Sequence, residues 1–365
     1  MRYAQILLAA AGLAATIDAR AVHGKRASPL EVTLAPGTSG DAAELVATIK
    51  NVGPTDLSLL KVGTLLSESL PVKKLLAVDV SGAEVPFKGI SASVNYDALQ
   101  PEHFHLLKAS ESVDTVISAA TVHEFAQSGT YTFRAVGAIP VAATAGSTQL
   151  SRTSVEFASN ILSLHVDAAV AMAVPLALKV VLDKRTHIQD NCNTTQLAAS
   201  TAALANCEKL ATAAAADAAD LSSARFVEYF KTNATATRDT VVARLRAVAK
   251  ECSTTDGGVS NYWCNDRSSI CESEGPLNAY TIWDQAQTIM CPLFYDTLVP
   301  LPKVCHKQDQ ATTTIHEMTH IEDVYSPHTN DWAYSYNESV ALTPERALAN
   351  ADNYSLFANA VNLNC

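Results

Sequence analysis

The first half of the chain alternates hydrophobic and polar residues over short stretches. Residues 30–34 alternate strictly, and residues 45–49 and 130–136 are rich in β-branched and aromatic side chains. A period of two residues is typical of strands with one buried face, and residues 51–54 form a turn-like sequence between such stretches. Repeated short strands of this kind predict a β-rich, sandwich-like domain before residue 186.

The pattern changes to helical spacing in the second half. Residues 195–219 are rich in alanine, and residues 222–250 place apolar side chains at helical intervals. Residues 343–358 predict a further helix, which Thr343 opens with Pro344 at its first position. This half is therefore predicted to be mostly helical.

A short helix is also predicted around residues 312–321. Ile315, Met318 and Ile321 recur at intervals of three residues, as one buried stripe would, and Thr312 can cap the helix. The polar side of this helix carries the most informative residues of the chain.

Two features predict how the chain is processed. Residues 6–15 form a short apolar run behind Arg2, which is typical of a secretory signal of about 19 residues and too short for a membrane span. Lys184-Arg185 is a dibasic pair between a region without cysteine and a region with eight. We therefore expect residues 1–19 to be a signal peptide, residues 20–185 a propeptide and residues 186–365 the mature domain.

Composition limits the partners and the location. All eight cysteines follow residue 190, and an even number in a secreted chain indicates disulfides. From residue 186 onwards, 11 Lys and Arg stand against 21 Asp and Glu. This acidic surface would attract basic proteins and repel nucleic acid. Together with the predicted secretory signal, it leads us to expect an extracellular monomer without nucleic-acid or membrane partners. Four N-x-S/T acceptors, consistent with a glycoprotein, begin at Asn193, Asn233, Asn337 and Asn353.

The run from His316 to His320, with Glu317 between them, has the H-E-x-x-H pattern of zinc hydrolases. Side chains four residues apart share one helix face, so both imidazoles can bind the same ion. Zinc with three protein ligands and one open position activates water for attack on a carbonyl, and Glu317 can accept the proton.

The residues after His320 leave two candidates for the third zinc ligand. The arrangement with a third histidine fails, because Asp323 and Ser326 stand where that pattern needs glycine and histidine. Asp331 follows a turn-like stretch that can bring it back towards the helix. Glu338 is the alternative.

Residues 328–335, His-Thr-Asn-Asp-Trp-Ala-Tyr-Ser, resemble the G-T-x-D-x-x-Y-G segment of the deuterolysins, the fungal neutral proteases II among the aspzincins. The resemblance implies that Asp331 is the third zinc ligand, Glu317 the general base and Tyr334 the oxyanion partner. It also implies a substrate-binding role for Asp352. His328 and Ser335 replace the two glycines of the segment, which leaves the loop conformation open.

The same resemblance implies the disulfides Cys192–Cys264, Cys271–Cys291 and Cys305–Cys365, which leaves Cys207 to pair with Cys252. We therefore expect a multidomain protein, with a β-rich prodomain before a mostly helical α+β catalytic domain of the zincin type. Its function would be that of a secreted zinc metalloendopeptidase that acts on proteins, with a preference for basic ones, after its own propeptide is cut away at Lys184-Arg185. The alternatives are a protease that uses Glu338 as ligand and a secreted binding protein derived from a protease.

Overall fold

The computed structural model describes residues 28–39, 42–151, 153–178, 188–254 and 257–365. The predicted signal peptide and the pair Lys184-Arg185 lie outside these residues. We refer to residues 28–178 as the N-terminal region and to residues 188–365 as the C-terminal region.

The N-terminal region is built from short strands, as the alternating pattern predicts. Its elements are β1 (Leu30–Pro36), β2 (Glu44–Asn51), β3 (Leu57–Leu60), β4 (Leu76–Val78), β5 (Ile90–Val94), β6 (Phe104–Leu107), β7 (Ser112–Ser118), β8 (Gly129–Arg134), β9 (Val136–Ile139), β10 (Val155–Ala158), β11 (Leu162–Val166) and the helix α1 (Ala168–Ala173). Two antiparallel sheets of three strands, β1-β2-β7 and β11-β8-β4, contribute to one apolar core. Alternate residues of β1 and β2 are buried in that core.

The C-terminal region combines helices with a small sheet. Its elements are α2 (Thr194–Ala219), α3 (Ala224–Phe230), α4 (Thr235–Ser253), β12 (Asn261–Trp263), β13 (Leu277–Ile282), β14 (Gln287–Met290), α5 (Pro292–Asp296), α6 (Gln310–Thr319), α7 (Ser335–Ser339), α8 (Pro344–Leu348) and α9 (Ala351–Leu363). Helices α2, α4, α6 and α9 surround a core that contains Ile315, Met318 and Ile321. The stripe predicted from the sequence is therefore buried. Among the described residues, no helix combines the length and apolarity needed to span a bilayer.

Two predicted helices are divided in the structure. The helix expected at residues 222–250 ends at Phe230, because Lys231 adopts a left-handed conformation with φ 58°. The next helix, α4, begins at Thr235. The helix expected at residues 343–358 is interrupted around Asn350. The Asn350 side chain bonds to the backbone of Trp332 and Ala333, so a tertiary contact overrides the helical pattern.

One sheet contains strands from both regions. Its order is β12-β14-β13-β5, so β5 of the N-terminal region completes the sheet of the C-terminal region. Strand β5 is antiparallel to β13, with Ser91 opposite Thr281 and Ala92 opposite Tyr280. Apolar side chains from both regions form a shared core beneath this sheet, among them Val62, Leu70 and Val72 on one side and Tyr280, Ile282 and Ile289 on the other.

Four disulfides join the pairs that were predicted, and all of them lie in the C-terminal region: Cys192–Cys264, Cys207–Cys252, Cys271–Cys291 and Cys305–Cys365. Cys207–Cys252 connects α2 to α4. Cys305–Cys365 fixes the end of the chain beyond α9. These crosslinks tie together the helices that support α6.

Candidate active site

Helix α6 carries the H-E-x-x-H residues within the core. Its N-cap is Asp309, whose carboxylate accepts hydrogen bonds from the backbone and hydroxyl of Thr312. The prediction that Thr312 caps the helix is therefore wrong, because Thr312 lies one turn inside it. Every residue of α6 is buried, which is unusual for a helix with so many polar side chains and requires partners for them.

His316, His320 and Asp331 converge at one point. Asp331 Oδ1 lies 3.3 Å from Nε2 of each histidine, and the two Nε2 atoms are 3.2 Å apart. Within the described part of the chain, these three residues form the group of His, Cys, Asp and Glu side chains whose ligand atoms are close enough to hold a metal ion. The remaining ring nitrogens are engaged, because His316 Nδ1 lies 2.8 Å from Asp352 Oδ1 and His320 Nδ1 lies 3.0 Å from the carbonyl oxygen of Thr329.

A network of backbone contacts brings Asp331 to the helix. Thr329 donates its N–H to the carbonyl oxygen of Thr319, at 3.0 Å. Asn330 donates to Ala349 O at 2.8 Å and accepts from Ala351 N at 3.0 Å, which holds the loop against the start of α9. The two residues before Asp331 are thus held against α6 and the start of α9.

The charges at this point fit a metal ion. Burial opposes charge on His316, but the carboxylates of Asp331 and Asp352 outweigh it and raise the His316 pKa well above its usual value. Burial likewise opposes charge on Asp331, and the two imidazoles lower its pKa. Asp331 Oδ1 and Glu317 Oε1 are buried and accept no hydrogen bond from the described residues. Two imidazoles and one carboxylate are a donor set that zinc accepts.

The comparison with known proteins identifies the family of this chain. The model of the deuterolysin metalloprotease (M35) family matches residues 1–365. The chain belongs to this family. A neutral protease 2 homolog of Sclerotinia sclerotiorum is 46% identical over 338 residues, which cover 92% of this chain and 91% of the relative. A neutral protease 2 homolog of Botryotinia fuckeliana is 44% identical over the full length of both chains.

A solved zinc peptidase from Grifola frondosa matches 46% of this chain and 97% of its own, with 19% identity and a TM-score of 0.35. The family and enzyme class expected from the sequence are confirmed by the family match: the chain is a metallopeptidase of the deuterolysin family, and its cofactor is zinc.

In this deuterolysin, Asp352 lies next to the proposed metal-binding group, which consists of His316, His320 and Asp331. Besides facing His316 Nδ1, it accepts the N–H of Ser335 through Oδ2 at 2.8 Å. Ser335 has φ 64°, so it keeps the left-handed conformation at one of the two positions where the family segment has glycine. Asp352 therefore joins His316 on α6 to Ser335, the first residue of α7.

Glu338, the alternative ligand, does not join the group. It is buried in α7, and its Oε2 accepts the N–H of Tyr334 at 3.2 Å. Burial raises its pKa to about 7. The described residues thus bring Asp331, and not Glu338, to the two histidines.

Glu317 and Tyr334 both face the metal-binding group. The hydroxyl of Thr281 on β13 donates to Glu317 Oε2 at 2.6 Å, and burial raises the pKa of Glu317 although both imidazoles oppose the shift. Tyr334 is buried and lines the same cavity as Asp331. Burial and the nearby carboxylates raise the Tyr334 pKa well above its usual value, so its phenol stays protonated.

Three supporting residues were not predicted from the sequence. Thr281 orients Glu317, Asn350 holds the backbone after Asp331, and Arg244 of α4 donates to the carbonyl oxygens of Leu348 and Pro327. Each acts on residues distant in sequence, so no local pattern marks it.

Proposed function

We propose that this deuterolysin is a secreted zinc endopeptidase in which His316, His320 and Asp331 hold the metal. The convergence of these three side chains beside Glu317 carries the proposal. When bound, zinc would act as a Lewis acid towards a peptide carbonyl and a water molecule. The remaining chemistry falls to side chains of this chain.

Glu317 is the proposed general base. Thr281 holds Oε2, which leaves Oε1 as a buried carboxylate oxygen without a partner and able to accept a proton. The same group can return the proton to the departing amine, so no covalent acyl-enzyme is needed. Tyr334, protonated at neutral pH, is the proposed donor to the oxyanion.

We assign Asp352 to positioning instead of substrate recognition. The sequence prediction placed it in the substrate site, but each of its oxygens already has a partner, His316 and Ser335. Metal-binding histidines commonly donate their second nitrogen to such a carboxylate, which fixes the ring. A preference for basic substrates is then supported by the acidic balance of residues 186–365 alone.

Activation of a zymogen after Lys184-Arg185 is the second part of the proposal. The N-terminal region contributes a strand to the catalytic sheet and lines the cavity that contains Asp331 and Tyr334. Its removal would therefore open the site. Disulfides in the C-terminal region support secretion. Glycosylation is proposed at the exposed Asn193, Asn233 and Asn337; Asn353 is buried and donates to Tyr229 O and Ser339 O, so it is unsuited as an acceptor in the folded protein.

The test is Glu317→Gln in the full chain, processed and loaded with zinc. We expect about one zinc per chain, and a kcat/KM for casein peptides lower by roughly 100-fold to 10,000-fold, because the base is lost while the ligands stay. Glu322→Gln is the matched control, since Glu322 lies just after α6 but is largely exposed. Full activity in Glu317→Gln, or activity that survives complete removal of zinc by a chelator, contradicts the proposal.

A further inference from the structure

The two regions meet at the edge of β13 that faces β5. This edge lies close to Glu317, the proposed general base. Strand β13 has β14 on one side and β5 on the other. Thr281 of β13 bonds to Glu317, and Ser91 of β5 is paired with Thr281. Strand β5 therefore lies one strand spacing from the residue that positions the proposed base.

The backbone hydrogen bonds of β5 show which of its polar groups face β13. Ile90 donates its N–H to Pro71 O, and Val94 O accepts from the side chain of Gln308, so these even-numbered residues direct their polar groups away from β13. Asn95 donates to Pro276 O on the β13 side. Because backbone direction alternates along a strand, Ser91 and Ser93 direct their N–H and C=O groups towards β13.

Residues of β5 also line the cavity that contains the proposed site. Ile90, Ser91 and Ala92 line the same cavity as Asp331 and Tyr334. An extended peptide that paired with β13 and reached these two residues would occupy the space of β5. Two backbones cannot bond to one strand edge, so β5 and such a peptide exclude each other.

Both ends of β5 are anchored to the C-terminal region. Before the strand, Lys88 lies 3.1 Å from Asp284; after it, Asp97 lies 2.7 Å from Lys307. A third anchor is Glu274, which accepts the N–H groups of Glu68 and Leu70 in the segment leading to Pro71. The Pro71 carbonyl in turn accepts from Ile90.

We propose that β5 is a built-in inhibitor that blocks the catalytic group by adding a strand to β13. Before processing, β5 occupies this edge of β13. After processing, the edge would bind an extended polypeptide segment through its backbone. This inference rests on the proposed function and specifies how the N-terminal region would keep the enzyme latent. General burial of the site by the rest of the N-terminal region is the competing explanation.

The test uses the full, zinc-loaded chain with a recognition sequence for a specific protease placed between Arg185 and Thr186. After cleavage, the N-terminal and C-terminal regions stay together until dilution separates them. A fluorogenic peptide substrate then reports the protein concentration below which activity appears. Ser91→Pro removes the N–H that faces β13 and should raise this concentration roughly 100-fold. Ser91→Ala is the matched control: it keeps the N–H, loses only the hydroxyl bonded to Trp283, and should change the value by no more than about threefold.

A second pair of variants covers the case in which Ser91→Pro disturbs the N-terminal fold. Lys88→Glu should raise the same concentration several-fold, and adding Asp284→Lys should restore it. Hydrogen exchange of residues 277–282 gives a readout that does not need activity: these amides should lose protection in step with the dilution of Ser91→Pro.

Equal behaviour of Ser91→Pro and Ser91→Ala, with unchanged exchange in β13, overturns the strand mechanism while leaving the enzyme assignment intact. A separated, zinc-loaded C-terminal region that cleaves no peptide, although β13 has become unprotected, contradicts the proposed function instead and supports the strand contact. The two failures are thus distinguishable.

Discussion

The N-terminal and C-terminal regions solve the problem of stability differently. Among the described residues of the N-terminal region, no Asp, Glu, Lys or Arg is buried, and its core consists of aliphatic and aromatic side chains. The C-terminal region buries two Arg and five acidic side chains, Arg238, Arg244, Glu251, Asp309, Glu317, Glu338 and Asp352. It also buries the imidazoles of His316 and His320, whereas the N-terminal region buries one imidazole, that of His123. Burying such groups costs free energy, and only this region has disulfides to offset that cost.

The difference teaches that the region with the proposed site and the region that covers it are stabilised in different ways. Under the proposed activation, four disulfides would hold the polar site in one geometry after the N-terminal region is removed. The N-terminal region could be removed without taking His316, Glu317, His320 or Asp331 with it. The following predictions test that division, from the largest expected effect to the smallest.

Asp331→Ala should break the C-terminal region's function most severely. We expect the zinc to be lost and kcat/KM to fall by more than roughly 100-fold. A loss of up to that size is typical when a residue that only orients a metal ligand is removed. Glu338→Gln is the matched control, since it changes another buried carboxylate close by without touching the metal-binding group. Metal analysis of both variants decides between them, and a zinc-free Glu338→Gln protein would restore Glu338 as the ligand.

Removing one crosslink tests the proposed division of stability. Replacing both Cys207 and Cys252 by alanine should lower the unfolding free energy of the C-terminal region by about 2–4 kcal/mol, because the loop of 45 residues between them is no longer closed. Denaturant unfolding followed by the tryptophans, all three of which lie after residue 190, measures this region selectively. If hydrogen exchange in β1 and β2 changes equally, the two regions are not independent in stability.

Asp352→Asn separates positioning from substrate recognition. The amide cannot accept from His316 and Ser335 as the carboxylate does, so zinc affinity should fall about 10-fold to 100-fold. The ratio of kcat/KM for a lysine-containing peptide to that for its norleucine analogue should stay the same. A ratio that collapses towards one would return Asp352 to substrate binding, as the sequence suggested.

Glu338 gives the smallest effect, and it depends on pH. Burial raises its pKa from 4.5 to about 7, so the folded state binds the proton more tightly than the unfolded state does. Stability should therefore fall as pH rises from about 4.5 to about 7 and then level off, with a total loss of no more than about 3 kcal/mol. Glu338→Gln should be as stable as the parent at pH 4 and more stable at pH 8; thermal unfolding at both values tests this.

The sequence predicted the local patterns well. The alternation of residues 30–34 and 45–49 lies within β1 and β2, and residues 195–219 lie within α2. The two histidines proposed to bind the metal could be found because four-residue spacing on a helix is itself local. The disulfide pairs and Asp331 came from resemblance to the family, and the structure brings these residues together.

The sequence could not predict what depends on long-range contacts. Nothing around residue 90 indicates that β5 leaves the other N-terminal strands for β13, because both faces of β5 are buried and no alternation remains. The helix break at Asn350 depends on Ala333, and the N-cap at Asp309 precedes the residues that looked helical. The roles of Thr281 and Arg244 depend on partners at least 36 residues away.

The shared sheet also has a consequence for biosynthesis. A ribosome completes β5 well before it reaches β13, since residues 90–94 precede residues 277–282 by almost half of the chain. When β13 has been synthesised, β5 is therefore already available to pair with its edge. In the proposed mechanism, the inhibitory strand is thus always made before the strand that it covers.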